Sequence, residues 1–124
     1  MAQQPPTLGK GSRGDAVKGL QNALNARSFH VDPIDGVFGP ATENAVKQFQ
    51  RAAGLAEDGI VGPNTWQALC VYVVERGDTL SGIAEHRLGD ADRWPEIFEL
   101  NRDLIRDPDE IFPNQVLALP EDAC

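Results

Sequence analysis

Three aspartates in this chain could do acid–base chemistry: Asp35, Asp58 and Asp78. Two carboxyl groups with different proton affinities can cleave a glycosidic bond, one as an acid and the other as a base or nucleophile. Asp35 and Asp58, however, each begin an Asp-Gly pair within a phrase that occurs twice. The phrase reads Asp-Gly, two apolar residues, Gly-Pro, any residue and Thr, at 35–42 and again at 58–65. Because turn chemistry explains both aspartates, we predict a protein without catalytic residues.

Few residues could bind a metal ion or act as a nucleophile. Cys70 and Cys124 are the only cysteines, and neither lies in a C-x-x-C motif or at metal-ligand spacing from His30 or His86. The two histidines also lack a Ser, Cys or carboxylate constellation, so we interpret them as surface residues. We therefore expect no metal and no cofactor.

Composition limits the classes of partner. The chain has 124 residues, 41% of them hydrophobic, which suits one medium domain or two small ones. Its 19 acidic residues outnumber the 11 basic ones, and the net charge of −8 disfavours nucleic acid and anionic lipid as partners. No stretch is apolar enough for a secretory signal or a membrane span. We expect a monomer that does not insert into membranes and that binds an uncharged or zwitterionic ligand.

The repeated phrase needs elements that hold it, and the first half of the chain predicts three helices. In each copy Asp-Gly makes a turn and Pro suits the first position of a helix, so each copy ends a loop and starts a helix. Apolar residues recur at helical spacing before and between the copies. The predicted helices are 14–27, a second from Gly39-Pro40 to a left-handed Gly54, and a short third after Gly62-Pro63.

These helices predict a small domain at 7–69, after a disordered lead at 1–6. A domain of this size buries only ~60% of the surface that its unfolded chain exposes, so every large apolar residue is needed inside. We assign Phe38, Phe49 and Trp66 to the core.

The second half changes to period two at residue 71, which predicts a short strand. After Gly77, Asp78 is a candidate N-cap for a helix that stops at Gly89, and a second helix follows over 93–101. A closing strand at 116–119 can pair with the first only if the helices pack across both. The predicted class is therefore α+β: a three-helix N-terminal domain, then a β-α-α-β domain at 71–120 with a two-stranded antiparallel sheet, and a tail at 121–124.

The first half resembles the peptidoglycan-binding domain type 1 family. The resemblance rests on an ordered set of motifs: Leu8-x-x-Gly11-x-x-Gly14, Val17-x-x-Leu20-Gln21, Asp35-Gly36-x-Phe38-Gly39, Thr42-x-x-Ala45-Val46-x-x-Phe49-Gln50 and Asp58-Gly59-Ile60-Val61-Gly62-Pro63-x-Thr65-Trp66. It implies a three-helix fold and non-catalytic attachment to the bacterial cell wall. Candidate wall contacts lie in the loops of the two copies, at Asp35, Gly36, Phe38, Asp58 and Gly59.

The second half resembles the LysM domain. The motifs are Tyr72-x-Val74-x-x-Gly77-Asp78-Thr79-Leu80-x-x-Ile83-Ala84, Trp94-x-x-Ile97-x-x-Leu100-Asn101 and Ile111-x-Pro113-x-Gln115-x-Leu117-x-Leu119-Pro120. The resemblance implies recognition of N-acetylglucosamine-containing glycan in a shallow groove between two loops. By position, the groove residues are Gly77, Asp78, Thr79, Leu80, Asn101, Asp103, Leu104, Ile105, Asp107 and Pro108. Asn114 replaces the family's usual Gly, and Asn tolerates the left-handed region that this turn requires.

Cys70 and Cys124 flank the two predicted strands. In an antiparallel pair those ends are neighbours, so a disulfide fits the topology and would stabilise by roughly 4 kcal/mol in the chain-entropy model. The lack of a visible secretory signal argues for reduced thiols. Both readings stay open.

The sequence thus predicts a non-catalytic, two-module cell-wall-binding protein that recognises peptidoglycan or another N-acetylglucosamine-containing glycan. One alternative is a structural LysM-bearing component of a phage tail or contractile particle. The other is a minimal wall hydrolase using Asp35, Asp58 or Asp78. The chain would be cell-wall associated if exported, and cytoplasmic or particle-associated otherwise.

Overall fold

The computed structural model describes residues 5–123. They form five α-helices and one two-stranded antiparallel sheet, which confirms the predicted α+β class. Short 3-10 turns lie at Ala91–Arg93 and Glu121–Ala123. In chain order the elements are α1 Asp15–Ala26, α2 Pro40–Ala52, α3 Pro63–Leu69, β1 Val71–Val73, α4 Leu80–Leu88, α5 Trp94–Leu100 and β2 Val116–Ala118.

The first three helices begin and end where glycine and proline predict. Gly39 and Gly62 precede α2 and α3, and each helix has Pro at its first position. Gly54, just beyond α2, takes the left-handed conformation with φ +74°. The predicted core assignments of Phe38, Phe49 and Trp66 are confirmed, since all three are buried.

The start of the described chain contacts the first core. Residues 1–4 of the predicted disordered lead lie outside the described residues. Pro6, which the prediction also placed in that lead, accepts a hydrogen bond on its carbonyl from Trp66 Nε1 at 2.8 Å. The contact satisfies the indole N–H of a buried tryptophan, so the ordered chain begins earlier than residue 7.

In the second half, β1 and β2 pair in the register Val71 with Ala118, Tyr72 with Leu117 and Val73 with Val116. The helices α4 and α5 cover one face of this sheet. Asn114 takes φ +74° in the turn before β2, as predicted, and its N–H donates to the Val74 carbonyl at 2.8 Å.

Two details of the second half differ from the prediction. The N-cap of α4 is Thr79, whose Oγ1 accepts from Gly82 N, because Asp78 lies one residue too early and instead closes the preceding turn. Trp94 and Phe98 were expected inside, yet both are only partly buried, and Ile97 is the buried residue of α5. A helix of two turns can point only one narrow stripe at the sheet.

The two halves share the sheet. Val116 and Ala118 pack in the same apolar cluster as α1, whereas Leu117 and Leu119 pack under α4 and α5. Gly19 of α1 lies directly against β2, because an added Cβ would overlap the Val116 carbonyl oxygen. Both faces of β2 are therefore buried, one in each half.

Arg27 adds polar contacts at this junction. Its Nη2 donates to the Leu119 carbonyl at 2.6 Å and its Nε donates to the Leu69 carbonyl at 3.3 Å. Partial burial lowers the pKa of Arg27, and Glu121 opposes that change. The guanidinium thus links the end of α3 to the chain that follows β2.

Cys70 lies buried between α3 and β1. The predicted bridge needs Cys124, which lies outside the described residues, so the bridge remains a prediction. The antiparallel pairing of β1 and β2 on which it rests is confirmed. Within residues 5–123, no helix combines the length and the apolar character needed to cross a bilayer.

Candidate functional site

A buried glutamine holds the first copy of the phrase. Gln21 Nε2 donates to Asp35 Oδ1 at 3.2 Å, to the Val37 carbonyl at 3.2 Å and to Thr42 Oγ1 at 3.1 Å. Gln21 Oε1 accepts from Gly36 N at 3.0 Å. The amide therefore joins the turn, the apolar pair and the helix start of one phrase.

Gln50 makes the same contacts with the second copy. Its Nε2 donates to Asp58 Oδ1 at 3.1 Å, to the Ile60 carbonyl at 2.9 Å and to Thr65 Oγ1 at 3.2 Å. Its Oε1 accepts from Gly59 N at 3.0 Å. The two phrases are thus two copies of one helix, loop and helix unit, each organised from the preceding helix.

The aspartates of the two copies are exposed and ionised. The N–H of Val37, followed by the Gln21 amide, lowers the pKa of Asp35 below its usual 3.8. The N–H of Ile60 and the Gln50 amide do the same for Asp58. A catalytic acid of a glycosidase needs the opposite change, a raised pKa. These carboxylates act as acceptors in turns.

A small pocket opens beside the second copy. We call it the second-copy pocket; its volume is about 180 Å³. Its walls combine apolar side chains with one carboxylate and one amide. It is lined by Gln50, Leu55, Ala56, Asp58, Ile60, Gly62, Pro63, Asn64 and Thr65.

A second concavity of about 200 Å³ lies between the start of α4 and the loop before β2. We call it the strand–helix groove. Its lining contains a carboxylate, two hydroxyl groups and several apolar side chains. The residues are Asp78, Thr79, Leu80, Ser81, Trp94, Pro108, Asp109 and Ile111.

Asp78 is the most tightly held polar group of this groove. Its Oδ2 accepts from Tyr72 OH at 2.6 Å and from Glu75 N at 2.8 Å. Burial, and then the hydrogen bond to Asp78, raise the pKa of Tyr72 to about 12, so its hydroxyl remains a donor. Arg87 lies 5.8 Å from the centre of the Tyr72 ring. Since both bonds to the carboxylate use Oδ2, Oδ1 remains for a ligand.

Comparison with known families fits this division of the chain. Residues 13–69 match the family described as "Putative peptidoglycan binding domain", and residues 72–120 match the LysM domain. The chain carries a peptidoglycan-binding-type domain followed by a LysM domain. Both family resemblances of the sequence, and their order, are confirmed.

Individual relatives match parts of the chain. The "Uncharacterized protein in bpoA1 3'region" of Kitasatospora aureofaciens is 49% identical over 65 residues, covering 52% of this chain and 55% of that protein. The potassium binding protein Kbp of Escherichia coli is 34% identical over 90 residues, covering 71% and 60%. The chain therefore spans little more than half the length of these relatives.

A solved structure shows the same fold in the first half. The SleB N-terminal domain is 37% identical to this chain with a TM-score of 0.52, over 55% of this chain and 93% of that one. The similarity therefore extends to nearly the whole of the solved domain.

The predicted LysM contacts divide into two groups. Asp78, Thr79, Leu80 and Pro108 line the strand–helix groove. Gly77, Asp103, Leu104 and Asp107 are not among the lining residues, and Asn101 and Ile105 are buried beneath the surface. The groove residues that the sequence did not indicate are Ser81, Trp94, Asp109 and Ile111.

Asn101 supports the LysM fold instead of facing a ligand. Its Nδ2 donates to the Ile97 carbonyl at 2.7 Å and to the Ala118 carbonyl at 2.9 Å, and its Oδ1 accepts from Ala118 N at 2.8 Å. These bonds tie the end of α5 to β2. Asp107 Oδ1 accepts from Asp109 N at 2.9 Å, which shapes the loop that carries Pro108.

In the first domain the predicted wall contacts also separate. Asp58 lines the second-copy pocket, and Asp35 is exposed in the first copy. Gly36, Phe38 and Gly59 are buried and belong to the frame of the two copies. Gln21 and Gln50 were not predicted as the centres of that frame. They precede their aspartates by 14 and 8 residues, so no fixed spacing revealed them.

Proposed function

We propose that this chain binds bacterial peptidoglycan without cleaving it, and that the strand–helix groove takes the N-acetylglucosamine-containing glycan. The observation that carries the proposal is the groove itself, with Asp78 held by Tyr72 beside the exposed hydroxyls of Thr79 and Ser81. The two matched families support attachment to the cell wall.

The chemistry of the groove suits an N-acetylated sugar. Such a sugar offers an amide N–H, a carbonyl, hydroxyl groups and a methyl group, so its site needs acceptors, donors and an apolar contact. Asp78 supplies an acceptor, and the hydroxyls of Thr79 and Ser81 both donate and accept. Trp94 and Ile111 supply apolar surface. Every class of contact that the ligand requires is present.

The same residues argue against hydrolysis. Asp35 and Asp58 are turn acceptors with lowered pKa values, and Asp78 is bonded by Tyr72 and Glu75. We therefore expect no clearing when the chain is added to a turbid suspension of cell walls. Clearing would contradict the non-catalytic part of the proposal.

Occlusion of the groove tests the glycan site. Ser81 lies exposed in the first turn of α4, so Ser81→Tyr fills the groove without changing the core. We expect a loss of affinity for an N-acetylglucosamine tetramer of about tenfold or more, which is ~1.4 kcal/mol. Glu85→Tyr is the matched control, because Glu85 is exposed on the same helix and is not a lining residue.

Titration of the full chain, followed by amide NMR shifts, measures both variants. The wild-type chain should show shifts at 78–81 and 108–111 with the tetramer, and should sediment with insoluble peptidoglycan. Equal recovery in the supernatant with and without wall material would refute wall binding. Equal affinity of Ser81→Tyr and Glu85→Tyr would refute the assignment of the groove.

A further inference from the structure

We propose that the second-copy pocket is a separate binding site for an ammonium-bearing peptide, and that its partner is the peptide portion of peptidoglycan. This inference rests on the proposed function, since it assumes that the chain meets peptidoglycan. It divides the ligand between the two domains: glycan to the strand–helix groove and peptide to the second-copy pocket.

The two copies of the phrase share a frame, so the frame alone cannot select a ligand. The first copy is covered by the chain before α1. Gly11 N donates to the Phe38 carbonyl, Phe38 N donates to the Ser12 carbonyl, and Gly14 N donates to the Gly36 carbonyl, each at 2.9 Å. This edge-to-edge contact occupies the first copy's loop with protein.

The second copy meets the same segment at an earlier point. Leu8 N donates to the Val61 carbonyl at 3.1 Å, and Val61 N donates to the Leu8 carbonyl at 2.8 Å. Val61 is thereby buried, while its neighbour Ile60 stays 49% exposed. The turn at Asp58 is exposed as well. Side chains of the second copy are thus free to contact a ligand.

The return loops before the two copies differ in length and in what they cover. After α1 the chain leaves the left-handed Ser28 and places Val31 in the core, with Phe29 packed edge-on against Phe49 at 5.4 Å. After α2 it leaves the left-handed Gly54, and the shorter loop places Leu55 in the wall of the pocket. The apolar surface of the second loop is therefore available to a ligand.

The lining combines one negative charge with short apolar walls. Asp58 Oδ1 is used by Gln50 and by Ile60 N, which leaves the other carboxylate oxygen for a partner. Hydrogen bonding keeps this carboxylate ionised, since the pKa of Asp58 is lowered. The amide of Asn64 can pair with a peptide group.

Charge complementarity selects the occupant. A carboxylate between apolar walls favours a cation that carries short aliphatic groups. The peptide part of peptidoglycan offers both, in its alanine methyl groups and in the side-chain ammonium of its diamino acid. A neutral glycan offers no such charge.

The test is a titration of the full chain with three probes, followed by amide NMR. The probes are the peptide L-Ala-γ-D-Glu-L-Lys-D-Ala, the same peptide with its lysine amine acetylated, and the N-acetylglucosamine tetramer. We expect the free-amine peptide to shift amides at 55–65, and the acetylated peptide to bind more weakly, on the order of tenfold. Equal binding of the two peptides, or shifts equally large at 35–42, would overturn the inference.

The repeat supplies a matched pair of variants. Asp58→Asn keeps an oxygen that can accept from Gln50 and Ile60 N, and Asp35→Asn makes the same change in the first copy. Asp58→Asn should weaken the free-amine peptide about fivefold or more, and Asp35→Asn should leave it within about twofold. Equal effects of the two variants would overturn the inference.

A second pair guards against a change in the turn itself. Ile60→Lys adds an ammonium at the exposed rim of the pocket, and Val37→Lys does so at the equivalent exposed position. Only Ile60→Lys should weaken the free-amine peptide; an effect confined to Val37→Lys, or shared by both, would contradict the site. Tetramer shifts at 78–81 without any peptide binding would refute this inference alone. Failure of the tetramer would refute the glycan site separately.

Discussion

Gln21 and Gln50 make the same four hydrogen bonds, yet the helices that carry them meet different parts of the molecule. The helix α1 lies against β2 of the LysM domain, and two residues before Gln21 it has Gly19 at the contact. The equivalent residue of α2 is Gln48, which is exposed. Repetition therefore fixed the internal frame, while the surroundings gave each copy its own task. The first copy joins the two domains, and the second forms a pocket.

Removal of the two glutamines tests whether the frames are equivalent, and it should have the largest effect. Gln21→Leu leaves Gly36 N and Thr42 Oγ1 without this partner inside the protein, and Gln50→Leu does the same to Gly59 N and Thr65 Oγ1.

Since a buried unsatisfied polar group costs about 1–3 kcal/mol, each variant should lose about 3 kcal/mol of unfolding free energy. Urea denaturation measures this loss. A loss of less than about 0.5 kcal/mol for either variant would show that its glutamine does not organise the phrase.

Substitution of Gly19 tests the difference between the helices. An added Cβ at Gly19 overlaps a backbone oxygen of β2, which cannot move aside as a flexible side chain can. We expect Gly19→Ala to destabilise the protein by about 2 kcal/mol despite the higher helix propensity of alanine.

Gln48→Ala is the matched control for Gly19→Ala, and it should change stability by no more than about 0.5 kcal/mol. Thermal unfolding of the two variants makes the measurement. Equal stabilities would mean that α1 and β2 do not pack together in solution.

Acid titration tests the equivalence of the two exposed aspartates, with the smallest expected effect. Both folded pKa values lie below the usual 3.8, so the ionised forms stabilise the fold above that pH. This stabilisation is lost as the pH falls through the folded pKa values. Asp35→Asn and Asp58→Asn should each flatten the acid limb of the unfolding curve by a similar amount, when melting temperatures are compared from about pH 5 to about pH 2. Flattening by only one variant would show that the two turns differ.

Local rules predicted the elements well. The first helix, predicted at 14–27, runs over Asp15–Ala26, and the left-handed residues at Gly54, Gly89 and Asn114 lie where expected. Caps, turns and apolar periodicity act over a few residues, so the sequence shows them directly. The strand order and the antiparallel pairing followed from the same elements.

Side-chain roles that depend on packing were less accessible. Asp78 looked like an N-cap, but its partner Tyr72 approaches from β1 and Thr79 takes the cap. Trp94 has the register of a core residue and nevertheless lines the groove. Asn101 was expected in the groove, yet it is buried and bonded to β2. In each case the deciding contact comes from an element distant in sequence.

By itself, the sequence determined the element order, the two families and the repeated phrase, because each depends on residue types at short spacing. It also showed the apolar run at 116–119, whose residues are buried whichever element covers them. Only the tertiary structure decided that α1 covers one face of β2 and that α4 and α5 cover the other. The physical reason is that hydrophobic burial is not directional, so an apolar face does not specify its partner until the whole chain packs.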